Sequence, residues 1–491
     1  MKLELNSDLF EYDVRGLLQA FFPWTKFETD ECVSDRQCLS VLFSDTQGEP
    51  LNGEAAKEAE TVLAAVRFTD DDREYHERVT LSMADRSRAK TTLKQVIYRI
   101  LSENAGRELP WGTLTGIRPT KIAMGMLTEG AEDAEILRHM TGDLLVSKEK
   151  AELALDIAKR EKPIIEISDE PGWSLYIGIP FCPSTCLYCS FTSFSIEAYQ
   201  GKVEAYLEAL HKELVYVSEA FRGQALHTVY FGGGTPTSLS AEQLDTLFGW
   251  VTELFDLSGV REWTVEAGRP DSITREKLMV MKKYPITRIS VNPQTMHQKT
   301  LDLIGRRHTV TDVRETYKTA RELRFDNINM DLILGLPGET AEDIRETLRE
   351  IVKMAPDSVT IHSLAIKRSS RLNLNKDVYS AYRMENTDEM MREAGAMLRE
   401  IDVHPYYLYR QKNMAGNQEN VGYARPGKEG VYNVLIMEET ETIVACGAGA
   451  TTKYVRRDTG LITRAANVHD VNTYISNICE MIERKKELFK N

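Results

Sequence analysis

Ile179-Pro180-Phe181-Cys182-Pro183-Ser184-Thr185-Cys186-Leu187-Tyr188-Cys189-Ser190-Phe191 sets three thiols at the spacing C-x3-C-x2-C. That spacing suits three thiolates on three corners of one iron-sulfur cube. A purely structural cluster normally takes four cysteines, so a compact set of three with no nearby fourth leaves one iron open for chemistry. Zinc and unrelated thiols are the alternatives. Zinc favours C-x2-C pairs that recur with a second pair or a histidine, and no such partner lies near Cys189.

Working outward, short apolar runs alternate with long amphipathic ones from Ser174 onward. The runs are Ser174 to Ile179, His227 to Phe231, Glu262 to Glu266, Thr287 to Asn292, Asn327 to Leu334 and Ser358 to Leu364. The intervals are long enough for helices, and Val203 to Phe221 and Ala241 to Phe255 carry helical periodicity. Repeated strand-helix units imply parallel strands with right-handed crossovers. Six of them predict an α/β fold, a partial (β/α)6 barrel whose functional residues sit on loops after the strands' carboxyl ends. The cysteine loop follows the first strand, and Tyr230-Phe231-Gly232-Gly233-Gly234-Thr235-Pro236-Thr237 ends the second. Adjacent glycines let a backbone come close to a ligand and expose its N–H and C=O groups.

The flanks read differently. Residues 1–165 predict an N-terminal α+β domain, with strands at Met1 to Asn6 and Cys38 to Phe43 and helices at Tyr12 to Phe22, Thr91 to Asn104 and Ser147 to Lys162. The loop Leu109 to Lys121 reads as a proline-stiffened connector or as a lid or docking surface. The turn Asp169-Glu170-Pro171-Gly172 marks a boundary, which puts the barrel at residues 166–370. Residues 371–491 predict a C-terminal α+β extension, with helices at Asp388 to Ile401 and Val468 to Lys490 and strands at Tyr406 to Tyr409 and Thr442 to Ala445.

Composition narrows the class. The 491 residues carry a formal charge of −14, which argues against wrapping long nucleic acid, because that affinity needs a basic face. Arg306-Arg307-His308 remains a candidate local basic pocket. No apolar run reaches the length of a membrane span, and Met1 to Asn6 lacks the pattern of a secretory signal, so the expected compartment is the cytoplasm. Seven sparse cysteines, Cys32, Cys38, Cys182, Cys186, Cys189, Cys446 and Cys479, do not resemble a disulfide framework.

The cysteine triplet followed by Gly232-Gly233-Gly234-Thr235-Pro236-Thr237 resembles the radical S-adenosylmethionine (SAM) superfamily. Within it, Tyr176-Ile177-Gly178-Ile179-Pro180-Phe181-Cys182 and Cys186-Leu187-Tyr188-Cys189-Ser190-Phe191 resemble the oxygen-independent coproporphyrinogen III oxidase family. The N-terminal extension with Gly116-Ile117-Arg118-Pro119-Thr120-Lys121 is most similar to its HemZ branch. The resemblance implies a 4Fe-4S cluster held by Cys182, Cys186 and Cys189, with SAM on the free iron as the source of a 5'-deoxyadenosyl radical. It implies SAM contacts for Gly233, Gly234, Thr235, Glu266, Gln294, Arg306 and Asp331, with Ile333 against adenine and Tyr176 beside the sulfonium. Taken singly, Glu266 or Asp331 would pass for a helix cap and Arg306 for surface charge; at successive strand ends they form a set. Cys446-Gly447-Ala448-Gly449-Ala450 resembles the family's small-residue segment near the cofactor, although Cys446 also reads as an ordinary buried thiol.

The resemblance further implies an oxidoreductase that decarboxylates two propionates of coproporphyrinogen III in haem biosynthesis. Its partners would be a tetrapyrrole and an electron donor such as flavodoxin or ferredoxin. Two departures stand out. The decarboxylating members usually carry a fourth cysteine in a C-x-C ending, where this chain has Cys189-Ser190-Phe191, and a histidine where it has Gly178. Both departures resemble the haem-chaperone branch, which keeps haem trafficking, and a radical methyltransferase acting on a tetrapyrrole, open as alternatives.

Overall fold

The computed structural model describes residues 1–23, 25–27, 37–71, 73–116, 118–166, 172–367, 369–379, 381–411, 418–456 and 458–490. Cys32, Ile117 and the turn residues Asp169 to Pro171 lie outside them. The chain divides into two compact units, one of residues 1–158 with 410–413 and the other of residues 159–409 with 414–491.

In the first unit, β1 (Lys2–Leu5), β2 (Gln37–Ser44), β3 (Thr61–Asp70) and β4 (Arg73–Ser82) form one sheet in that order. β1 runs parallel to β2 and the rest pair antiparallel. The helices Glu11–Phe21 and Arg86–Ala105 bury Val14, Leu17, Leu93 and Ile97 against Val41, Phe43 and Phe68. The loop after Leu109 is anchored, with Trp111 fully buried and the Thr113 N–H on Leu144 O at 2.8 Å.

In the second unit all six expected barrel strands are present: β5 (Gly172–Ile179), then, after the short β6 (Phe181–Cys182) and β7 (Phe194–Ser195), β8 (Ala225–Gly233), β9 (Glu262–Gly268), β10 (Arg288–Val291), β11 (Ile328–Leu334) and β12 (Ser358–Ser363). β5, β8, β9, β10, β11 and β12 are consecutive neighbours and parallel throughout. The segment beyond residue 370 extends this sheet at both edges. β13 (His404–Tyr409) and β14 (Asn420–Ala424) join antiparallel beside β12, while β15 (Thr442–Cys446) pairs parallel with β5 and continues into β16 (Thr451–Val455) and β17 (Ile462–Ala466). The sheet is open.

Alternation along the strands sorts the chemistry, because successive side chains leave opposite faces. Leu175, Ile177, Val229, Phe231, Trp263, Val265, Ile289 and Met330 are buried on the helix side, where Trp263 stacks on Phe231 and meets Phe248 of the helix Ala241–Leu254 edge-on. The other face is polar. It carries Ser174 and Tyr176, Thr228 and Tyr230, Thr264 and Glu266, Asn292, Asn329 and Asp331, and Thr360 and His362. The helix Ala341–Met354 starts with a capping box of Thr340 and Asp343. The single helix expected over Val468 to Lys490 is instead two, Val471–Ser476 and Ile478–Lys490, because Asn477 leaves helical geometry between them. Among the described residues no helix is long and apolar enough to cross a membrane.

Candidate cofactor and active site

The cysteine loop is fixed at both ends and in the middle. β6 and β7 close it as a short parallel ladder, Phe181 opposite Phe194 and Cys182 opposite Ser195. Leu187 N–H donates to Ile304 O at 2.9 Å, Ser184 Oγ to Gly305 O at 2.9 Å, and Leu372 N–H to Leu187 O at 2.9 Å. Cys182 and Cys186 are buried and Cys189 is half-buried. Burial pushes the Cys182 thiol up to about 11 against the pull of the Thr235 hydroxyl, 3.4 Å from its sulfur, and burial also raises Cys189.

The glycine turn is docked on this loop. Gly234 N–H donates to Ile179 O at 2.8 Å and Thr235 N–H to Phe181 O at 2.7 Å. Gly233 has φ +109°, a conformation side chains rarely tolerate, and a Cβ on Gly234 would lie 2.6 Å from Phe181 O and 3.0 Å from Cys182 Sγ. Two donors that the sequence left open for a ligand are therefore committed to the protein. Carbonyl oxygens of the turn would suit a cation.

The strand-end residues converge on the polar face. Tyr230 donates to Glu266 Oε1 at 2.6 Å, and burial pushes the Glu266 carboxyl up to about 7, opposed by that hydrogen bond and reinforced by Asp331. Asp331 Oδ1 accepts from Asn329 Nδ2 at 2.7 Å and lies 3.9 Å from His362 Nε2. Gln294 occupies left-handed backbone at φ +69° and bridges to β11, its N–H on Asp331 O and its carbonyl accepting from Ile333 N–H, both at 2.9 Å. Ile333 packs in an apolar cluster with Leu187 and Tyr188 of the cysteine loop. Tyr176 stands in an aromatic stack with Tyr230 and Tyr432, at centroid distances of 6.0 and 6.3 Å. Burial and the neighbouring Glu266 raise its phenol well above the ordinary range.

Arg306 is 7% exposed. It donates to Asn292 O at 2.6 Å and Tyr188 Oη at 3.3 Å, and its Nε is buried without a hydrogen-bond partner. Its guanidinium stays charged, since Tyr188 and Cys186 outweigh its desolvation. His308, expected beside it as a basic group, is fully buried and held down to about 4 by desolvation and by Arg306, so it is neutral there. Arg307 is exposed. A cavity of about 630 Å³ opens beside Ser184 and Thr185 and is lined by Arg306, Arg307 and Arg371.

The family model of the radical SAM superfamily matches residues 176–351. The oxygen-independent coproporphyrinogen-III oxidase-like protein HemZ of Bacillus subtilis is 44% identical over 78% of this chain and 78% of its own. The heme chaperone HemW of Bacillus subtilis is 32% identical over 62% of this chain and 76% of its own. This chain belongs to the oxygen-independent coproporphyrinogen III oxidase-like family of the radical SAM superfamily. The solved structure of coproporphyrinogen III oxidase HemN from Escherichia coli is 23% identical with a TM-score of 0.51, over 65% of this chain and 72% of that one, a likeness of fold.

Radical SAM proteins use a 4Fe-4S cluster and SAM, and these are the cofactors of this chain. The residues present suit both. Three thiols share one pinned loop, the buried Arg306 Nε lacks an acceptor that a carboxylate would supply, and Gly234 leaves no side chain between the turn and Cys182. Among the described residues no three His, Cys, Asp or Glu side chains gather as around a single ion; a cubane takes each thiolate at a different corner. Cys446 is fully buried in β15, paired with Ile177 of β5.

Sequence reasoning passed over several residues beside the cysteine loop and on the polar face. Arg269, 3% exposed, donates through Nη1 to Ser184 O at 2.9 Å, to Ser184 Oγ at 2.7 Å and to Cys186 Sγ at 3.8 Å. Asp271 holds its other edge at 3.0 and 2.6 Å. Tyr230 and Asn292 lie on the polar face, and Tyr432 opens the helix Val431–Glu438, whose first N–H groups donate to Glu262. The usable signal was position: Arg269 and Asn292 sit just past strand carboxyl ends, and Tyr230 lies in β8 just before its glycine turn.

Proposed function

We propose that Cys182, Cys186 and Cys189 hold the cluster and that the chain catalyses oxidative decarboxylation of coproporphyrinogen III to protoporphyrinogen IX. When bound, cluster and SAM together supply a carbon radical able to take a hydrogen atom from an unactivated C–H bond. In this reading Arg306 donates to the methionyl carboxylate, the carbonyls of Gly233 and Gly234 take its ammonium, and Thr235 and Gln294 complete the binding turn. Glu266 and Asp331 accept from ribose hydroxyls, Ile333 packs on adenine, and Tyr176 lies beside the sulfonium. The carrying observation for the cofactor site is the docking of Gly234 and Thr235 onto the backbone of Ile179 and Phe181.

For the substrate, the support is the arginine-lined cavity beside the cysteine loop, where Arg307 and Arg371 offer charge to propionates of a tetrapyrrole. A hydrogen atom leaves the propionate β-carbon, carbon dioxide departs, and one electron passes to an acceptor, leaving a vinyl group. The chain's part is orientation and water exclusion around a species that attacks C–H bonds indiscriminately. An external donor such as flavodoxin or ferredoxin would supply the reducing electron.

Gly178 and Ser190-Phe191 favour a second reading, a haem chaperone. A Cβ at position 178 would already lie 3.3 Å from the Tyr176 ring, so a larger residue there needs that ring to move. Anaerobic incubation of the reconstituted chain with SAM, a low-potential reductant and either coproporphyrinogen III or haem separates the readings. Protoporphyrinogen formation coupled to SAM cleavage supports decarboxylation. Stoichiometric haem retention without consumption of coproporphyrinogen overturns it in favour of the chaperone, and a methylated tetrapyrrole in favour of a methyltransferase.

A further inference from the structure

We propose that Arg269 sets the reduction potential of the cluster through Cys186, with Asp271 as its counterweight; the inference rests on the reading of Cys186 as a cluster ligand. Arg269 leaves the carboxyl end of β9, turns inward and becomes buried. One guanidinium nitrogen reaches the sulfur of Cys186 at 3.8 Å while clasping both the carbonyl and the hydroxyl of Ser184, two residues earlier in the same loop. The opposite edge is held by both carboxylate oxygens of Asp271. A guanidinium locked on two sides has little freedom to turn away from the sulfur.

A planar, permanently charged group is costly to bury, and a surface position would hold the loop by fewer contacts. Its position against one ligand sulfur gives it a specific effect. Reduction adds one electron and one negative charge to a cluster and breaks no bond. An N–H donor and a positive charge at a ligand sulfur stabilise that more negative state and raise the potential. Asp271 offsets part of the charge. Removing either partner therefore moves the potential in opposite directions, which a role confined to holding the loop would not produce.

The test uses the full chain, reconstituted anaerobically, with iron and sulfide content measured first and the midpoint potential then read by EPR-monitored titration. Arg269→Gln is expected to shift the potential down, Arg269→Lys to restore part of the shift, and Asp271→Asn to shift it up at unchanged iron content. Where Arg269→Gln loads poorly, Arg269→Lys and Asp271→Asn still carry the opposite signs. Wild-type potential in all variants that load, or shifts of one sign for both partners, overturns the inference and leaves the thiol assignment intact. A wild-type chain that takes up no cluster overturns both.

Discussion

Tyr230 on β8 and Glu266 on β9 face each other across adjacent parallel strands, with the phenol donating to the carboxylate at 2.6 Å. The carboxyl, pushed up to about 7, holds its proton in the folded chain where an unfolded chain, ionising near 4.5, has lost it. The sign follows: between those values the folded state binds more protons, so stability is full below about 4.5 and falls as pH rises through 7. Glu266→Gln in the cofactor-free chain is expected to be more stable than wild type at pH 8, by roughly 1 to 3 kcal/mol, with the advantage vanishing toward pH 4.5. Urea denaturation at the two pH values checks it. Tyr230→Phe removes the hydrogen bond that lowers this pKa, and is expected to move the transition to higher pH.

Gly234→Ala tests the contact between glycine turn and cysteine loop. The added Cβ meets the Phe181 carbonyl and the Cys182 sulfur, neither of which is a flexible chain end. The loop has to move, so iron uptake is expected to fall several-fold while the circular dichroism spectrum stays that of wild type. Iron and sulfide assays on matched preparations measure it.

Lys485 and Glu213 form an ion pair at 2.6 Å with both side chains almost fully buried. Glu213 also accepts from Asn467 Nδ2 and Gly447 N–H, each at 2.8 Å, which ties the last helix to the turn after β15. Removing one charge strands the other, so Lys485→Met is expected to cost about 3 to 5 kcal/mol. The double change Glu213→Gln with Lys485→Met is expected to cost clearly less, as thermal unfolding of the three chains would report.

The strand order of the barrel was legible because burial of one face imposes a local pattern: the runs ending at Ile179, Phe231, Glu266, Asn292, Leu334 and Leu364 each carry it. The partners of the last strands were not. Thr442 pairs with Trp173, and nothing near either residue in sequence announces a pairing across that separation. The cysteine triplet and the glycine turn were legible as chemistry, yet which groups of the turn face a ligand depended on the Ile179 and Phe181 carbonyls that accept from it. Arg269 escaped notice because an arginine turned inward at a strand end has the same local sequence as one turned outward. His308 was misjudged for the converse reason, since burial and Arg306 remove the charge that its residue type suggests.

The central claim, that the three thiols of one loop hold a cluster with an iron open to SAM, is tested most directly by EPR of the anaerobically reconstituted, reduced chain before and after adding SAM. The expected result is a 4Fe-4S signal that SAM perturbs, lost when Cys182, Cys186 or Cys189 is changed to serine. A chain that yields no such signal, or one whose signal is indifferent to SAM and survives all three changes, would contradict it.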